Sequence, residues 1–192
     1  MTLLILGLVI FLGVHSVRVF AEDWRTGMRA RVGENAWKGI YSVASVVGFA
    51  LIVWGYGAAR LQPVVLWLPP VWTRHLAAPL ILIAFVLLVA AYVPGNAVKA
   101  KLHHPMILGV KAWALAHLLA NGKLAAVLLF GGFLVWSVLC YRAARQRDRV
   151  NHTSYAAGRV PPTLLTVALG LAAWAGFAWW AHAASIGVRP FG

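Results

Sequence analysis

The chain has 192 residues, of which 62% are apolar and 11% charged, with 17 Lys and Arg against four acids and a formal charge of +13. A soluble domain is about 45–50% apolar and about a quarter charged, so a globule of this length has too little interior to hide the excess. The apolar residues fall in long runs, which places the chain in the membrane class and its basic excess beside anionic lipid headgroups rather than nucleic acid.

The first run, Thr2–Phe20, approaches the ~20 residues that cross the hydrocarbon. No positive residue precedes it, so it reads as a retained helix rather than a signal peptide. It holds FLGVHSVRVF (Phe11–Phe20), in which His15 and Arg18 share a helix face. An imidazole one turn from a guanidinium suits a haem, with iron on the first and a propionate on the second. The alternative is a histidine bonded to nearby backbone and an arginine that snorkels to lipid phosphate.

A basic stretch leads to a second span, Gly39–Ala59. The segment Gln62–Arg74 holds Pro63, Pro69 and Pro70 and cannot be one continuous helix. It reads as an interfacial loop before the third span, Leu76–Val93. His104-Pro105 then marks the entry of a short fourth span, Met106–Ala120. That span carries Lys111, a partner for lipid, a substrate anion or a cofactor carboxylate unless it snorkels. It also carries His117, a candidate ligand or an interhelical hydrogen-bonding residue.

Asn121-Gly122 predicts a tight turn into the fifth span, Leu124–Tyr141. Cys140 is the only cysteine, so one chain forms no disulfide. The sixth span is Thr163–Ala184. Small residues at Ala112, Ala116 and Ala120, and at Ala168, Ala172 and Gly176, predict close helix seams. The runs do not alternate as barrel strands do. The expected fold is therefore all-α: one polytopic membrane helix bundle of about six spans, a single domain over residues 1–192.

Basic residues set the expected orientation. Arg25, Arg29, Arg31, Lys38, Lys99, Lys101, Arg142, Arg145, Arg147, Arg149 and Arg159 fall on one side. Only Arg60, Arg74, Lys123 and Arg189 fall on the other. Both termini are then outside a bacterial cytoplasmic (inner) membrane and the three basic loops inside. Trp67, Trp72, Trp179 and Trp180 form the outer aromatic belt.

All acids, Glu22, Asp23, Glu34 and Asp148, lie outside the apolar spans. That argues against a proton or cation pathway and against paired-carboxylate hydrolysis. No phosphate loop, HExxH or GxSxG occurs. His75, His103, His152 and His182 lie near interfaces or in a basic loop, where solvated histidine is the expectation.

Four segments carry a family resemblance: FLGVHSVRVF, WKGIYSVASVVGFALIVWGYGAAR (Trp37–Arg60), LWLPPVWTRH (Leu66–His75) and HHPMILGVKAWALAHLLANG (His103–Gly122). Together they resemble the NnrU family of bacterial membrane proteins, nearly end to end. The two histidine motifs also resemble those of plant zeta-carotene isomerase, a membrane haem b enzyme that shares the NnrU domain. The resemblance implies haem b, with iron ligated by His15 and His117. Arg18, His104 and Lys111 join them as candidate cofactor-binding residues.

The resemblance further implies a link to nitrite and nitric oxide reduction in denitrification. The role would be a redox or nitric oxide sensor, or an isomerase-like enzyme on an apolar, lipid-soluble substrate. It does not decide whether the chain is an enzyme. The predicted topology puts His15 and His117 on opposite sides of the membrane centre, about 10 Å apart along the axis, which keeps His104 open as the partner of His15. Two alternatives stand beside this reading. One is a cofactor-free assembly protein for membrane reductases. The other is a membrane methyltransferase, which His104-Pro105 and Gly109 faintly resemble without that family's C-terminal carboxylate pair.

Overall fold

The computed structural model describes residues 1–190, which form an α-helical membrane bundle. Five long apolar segments are able to cross a membrane by length and hydropathy. They are α1 (Thr2–Phe20), α3 (Glu34–Leu61), α4 (Trp72–Tyr92), α7 (Leu124–Val150), and a last span made of α8 (Val160–Gly176), a π-helical turn (Phe177–Ala181) and α9 (His182–Ile186). A sixth apolar helix, α6 (Pro105–Ala120), has 16 residues and packs between α4 and α7. Between 11% and 33% of each long span is buried within the protein, so most of each helix surface is left to lipid.

Two short helices lie where loops were expected. In α2 (Glu22–Val32), acids occupy the first turn and Arg29 and Arg31 the last, which matches the helix dipole at both ends. None of its residues is buried. Its mixed, charged surface suits a helix lying in the headgroup layer. In α5 (Ala97–Leu102), the Asn96 side chain caps the first turn by accepting from the Lys99 amide at 2.7 Å.

The spans pack in the order α3, α1, α7, α6, α4, α8. The tightest pair is α1 with α3, where three glycines let the backbones touch. A Cβ on Gly7 would stand 2.6 Å from the Ile52 nitrogen, and one on Gly48 would stand 2.8 Å from the Phe11 nitrogen. One on Gly55 would run into the Leu4 backbone. In a bilayer such contact replaces the hydrophobic drive that water gives a soluble bundle.

Glycines also bring two helices onto α4. Gly109 of α6 meets the Ala84 carbonyl and Gly170 of α8 meets Val86. The seam on α8 differs from the expected one. Ala168, Ala172 and Gly176 are exposed, whereas Thr166 and Gly170 are buried. Small residues permit a close approach, but their spacing does not say which of two stripes is used.

The chain ends sort by charge. One end of the bundle carries α2, α5 and the Arg142–Val150 extension of α7, with nine of the eleven Lys and Arg of the predicted inner loops; Lys38 in the first turns of α3 and Arg159 at the start of α8 complete them. The opposite end is closed by the 62–71 segment, which pairs with the α6–α7 turn. Leu66 donates to the Gly122 carbonyl and Leu124 to the Val64 carbonyl, each at 2.8 Å. Arg60 donates to the Ile186 carbonyl at 2.8 Å at that same end.

Gly55→Ala should destabilise the detergent-solubilised protein by about 1–3 kcal/mol through overpacking. Gly57→Ala, with nothing within 4 Å of its Cβ, should be neutral or slightly stabilising. Thermal melts of both variants check this, and equal melting points would contradict the glycine contact.

Candidate functional site

Because α6 and α8 both lie against α4 and do not pack on each other among the described residues, they leave a cleft with α4 as its floor. Beyond Gly109 and Gly170 it opens into a cavity of about 460 Å3, within the ~300–1,000 Å3 of small-molecule and cofactor sites. Ala77, Ile81, Ala84 and Phe85 form the floor. Trp113 and His117 stand on one wall, and Trp174, Phe177 and His182 on the other. Arg74 and Arg189 are the cationic groups in the lining, at the end away from the basic loops.

His117 is anchored by its own helix. Its Nδ1 donates to the Trp113 carbonyl at 2.9 Å. A carbonyl only accepts, so Nδ1 carries the proton and the neutral ring keeps its lone pair on Nε2. The ring stacks on Phe130, with centroids 4.4 Å apart. A histidine whose second nitrogen is fixed by a backbone carbonyl is the usual form of a metal-ligating imidazole.

His15 repeats this arrangement on α1. Its Nδ1 donates to the Phe11 carbonyl at 2.7 Å, and its ring stacks on Phe11 at 4.2 Å. It opens into a different cavity, of about 310 Å3, at the basic end. Arg18, Arg25, Arg29 and Lys38 line that cavity with Glu34 and Tyr41. Glu34 pairs there with Arg29 at 3.1 Å and with Lys38 at 3.0 Å.

The structure does not bring His15 and His117 together. His117 stacks on Phe130, and His15 meets the edge of Trp136 at 6.2 Å. Those two aromatics are six residues apart on α7, a rise of about 9 Å. Phe133 lies between, 5.8 Å from Phe11 and 5.5 Å from Trp113. One metal shared by both rings needs their nitrogens within about 4 Å, twice a bond of about 2 Å. As placed, the two rings line separate cavities on either side of this aromatic layer.

The remaining predicted site residues scatter. Lys111 is exposed on α6 and lines neither cavity. Arg18 borders the His15 cavity, with 61% of its side chain exposed and Glu22 at 3.9 Å. His104 turns to the basic end, where its Nε2 donates to Asp148 at 2.8 Å.

That contact belongs to a latch in the extension of α7, beyond the apolar run. Arg145 donates to the same carboxylate at 3.0 Å, and the Tyr155 hydroxyl at 3.1 Å. Burial raises the Asp148 carboxyl, but the hydrogen bond and charge of His104, then the bonds from Tyr155 and Arg145, outweigh it and hold it below its ordinary 3.8. Burial, then the bond to Asp148, pushes the Tyr155 phenol up. His103 stands beside the latch at φ 68°, its ring edge-on to Tyr155 at 4.1 Å. Burial, then the Arg145 charge, lowers its imidazole. No grouping of three or more His, Cys, Asp or Glu able to hold a metal ion occurs among the described residues.

Sequence reading missed His182 as a cavity residue. Its place near an interface suggested solvation, and only the packing of α4, α6 and α8 brings it into the cleft. A family model described as NnrU protein matches residues 3–190. No curated protein and no solved structure matches the chain.

The latch gives a pH-dependent prediction. Since the folded Asp148 carboxyl lies below 3.8, its stabilisation is complete above that value and is lost as pH falls through the lower folded value. Asp148→Ala should therefore lower stability at pH 7 by about 1 kcal/mol, roughly 2–4 °C in a melt. The gap to wild type should close under acid, and a gap that persists there would remove the carboxylate as its cause.

Proposed function

The chain belongs to the NnrU family, and on that premise we propose that it is an integral membrane haem b protein whose iron is held by His117 in the α4–α6–α8 cleft. The observation that carries this reading is the His117 ring. Its Nδ1 is committed to the Trp113 carbonyl, which leaves the Nε2 lone pair for a ligand in an apolar cavity of about 460 Å3. The residues present fit a haem in kind. Trp113, Phe85 and Trp174 offer flat apolar surface to a macrocycle, and Arg74 and Arg189 are cations for its propionates.

The protein's own contribution is binding, orientation and exclusion of water. The Trp113 carbonyl and Phe130 fix the tautomer and plane of His117. Ala116 and Ala120, on the same wall, keep the space beside it open. When bound, haem supplies one-electron chemistry and a coordination position for a small ligand such as nitric oxide. The family resemblance then favours a role in nitrite and nitric oxide reduction, as a redox or nitric oxide sensor or as an isomerase-like enzyme on a lipid-soluble substrate. The excess of basic residues on one end favours a cytoplasmic position for that end, in a bacterial inner membrane with both termini outside. The cavity then faces the outer half of the bilayer, and the basic end meets anionic headgroups.

The test is a reduced-minus-oxidised visible spectrum of detergent-purified protein from cells supplied with haem. Haem b bands are expected in wild type, absent in His117→Ala and retained in His15→Ala. A colourless, well-folded wild type would sink the reading and favour a cofactor-free assembly role. Bands untouched by His117→Ala would move the iron elsewhere.

A further inference from the structure

The second cavity, where α1, α2 and α3 meet at the basic end, plays no part in the haem reading. We propose that it is a binding site for one phosphate group, of the phosphomonoester class carried by an anionic lipid. Arg18 of α1, Arg25 and Arg29 of α2 and Lys38 of α3 line it, and Glu34 is the one acid in the lining among the described residues. Four cations against one acid leave a net charge of +3 around a space of about 310 Å3. A phosphomonoester complements that lining with a charge of about −1.5 to −2 near pH 7 and three strong acceptor oxygens.

The ion pairs that hold these cations do not use up their donors. A guanidinium carries five N–H donors. Arg25 gives one to Glu22 at 2.9 Å, and Arg29 gives one to Glu34 at 3.1 Å. Arg18 approaches Glu22 at 3.9 Å, beyond a hydrogen bond. Lys38 meets Glu34 at 3.0 Å and keeps further N–H donors. The pairs thus place the cationic groups around the cavity and leave hydrogen-bonding capacity for an oxyanion. His15 supplies an acceptor as well. With Nδ1 committed to the Phe11 carbonyl, its Nε2 lone pair can take the P–OH of a singly ionised phosphomonoester. Tyr41 and Ser42 add hydroxyl groups to the lining.

The place of the cavity points to a lipid as the source of the phosphate. The apolar run of α1 ends at Phe20 and the charged α2 begins at Glu22. The cavity therefore lies where the chain leaves the hydrocarbon, the depth of lipid phosphates. Val14, Val17 and Trp37 line the same space, so apolar and cationic surfaces meet there, as they do in a phospholipid at its glycerol ester. A basic membrane face attracts anionic lipids diffusely. A walled site differs in being saturable, and in depending on its own cations rather than on others at the same end.

Titration calorimetry of full-length, detergent-purified protein with dioctanoyl phosphatidic acid tests this. Saturation at one lipid per chain is expected. The Arg18→Gln, Lys38→Gln double variant removes two mostly exposed cations and should weaken binding about tenfold or more. The Arg142→Gln, Arg149→Gln double variant removes the same charge from exposed positions of α7 outside the cavity and should change binding less than about twofold. Glu34→Gln releases Arg29 and Lys38 and should tighten binding. Dioctanoyl phosphatidylcholine should not bind, and inorganic phosphate should compete only at much higher concentration. Equal losses in the two double variants, weaker binding in Glu34→Gln, or no saturable binding would overturn the site. Inorganic phosphate that binds as tightly as the lipid would overturn the lipid source and leave the phosphate site standing. The titration reads lipid alone, so its failure leaves the His117 site untouched.

Discussion

Hydrocarbon offers no partner to a backbone N–H or C=O, so each spanning segment must satisfy its own. That constraint makes the apolar runs helical and pushes the irregular backbone to the ends of the bundle. It also governs the polar side chains that remain inside. His15 and His117 each give one nitrogen to the carbonyl four residues earlier on their own helix. Ser45 and Thr166 donate to the carbonyl four residues back in the same way. Each histidine is then half satisfied by its helix, whatever its neighbours do. What stays available is one lone pair per ring, and packing decides where that lone pair points.

Charge is handled at one end. Glu22 and Glu34 pair with Arg25, Arg29 and Lys38, and Asp148 takes Arg145, His104 and Tyr155. These pairs do not cancel the basic excess. The Asp148 contacts fix the entry of α6 and the 151–159 segment against the end of α7, and the Glu34 contact with Arg29 ties α2 to α3. The latch uses His104, so the His-Pro motif is explained by anchoring the start of α6. That anchor sets the height of α6 in the bundle and with it the height of His117.

Much of this was legible in the sequence, because span length and hydropathy are one-dimensional properties. The predicted Thr2–Phe20 span has the bounds of α1, and Asn121-Gly122 is the turn between α6 and α7. The short helix α2 was hidden by its charge, since it carries no apolar run. The seam on α8 was misassigned because two stripes of small residues compete and only the partner's surface selects one. The histidines were visible as residues, and their partners were not. Partnership depends on helix order, and the order α1, α7, α6, α4, α8 sets an aromatic layer between His15 and His117 while bringing His182 into the cleft.

The cleft itself follows from where small residues stop being used for contact. Gly109 and Gly170 draw α6 and α8 onto α4 near Ala84 and Val86. Further along α6, Ala116 and Ala120 line the cavity. On α4, Ala77 and Ala78 do the same. The same residue type that closes a seam hollows out a space where no third helix arrives to fill it. Ala84 and Ala116 are themselves buried, so the seam and the cleft share one wall of small side chains. Small side chains on α4 and α6 thus set the width of the cleft beside the anchored His117 ring, and the functional reading rests on that width together with the fixed imidazole.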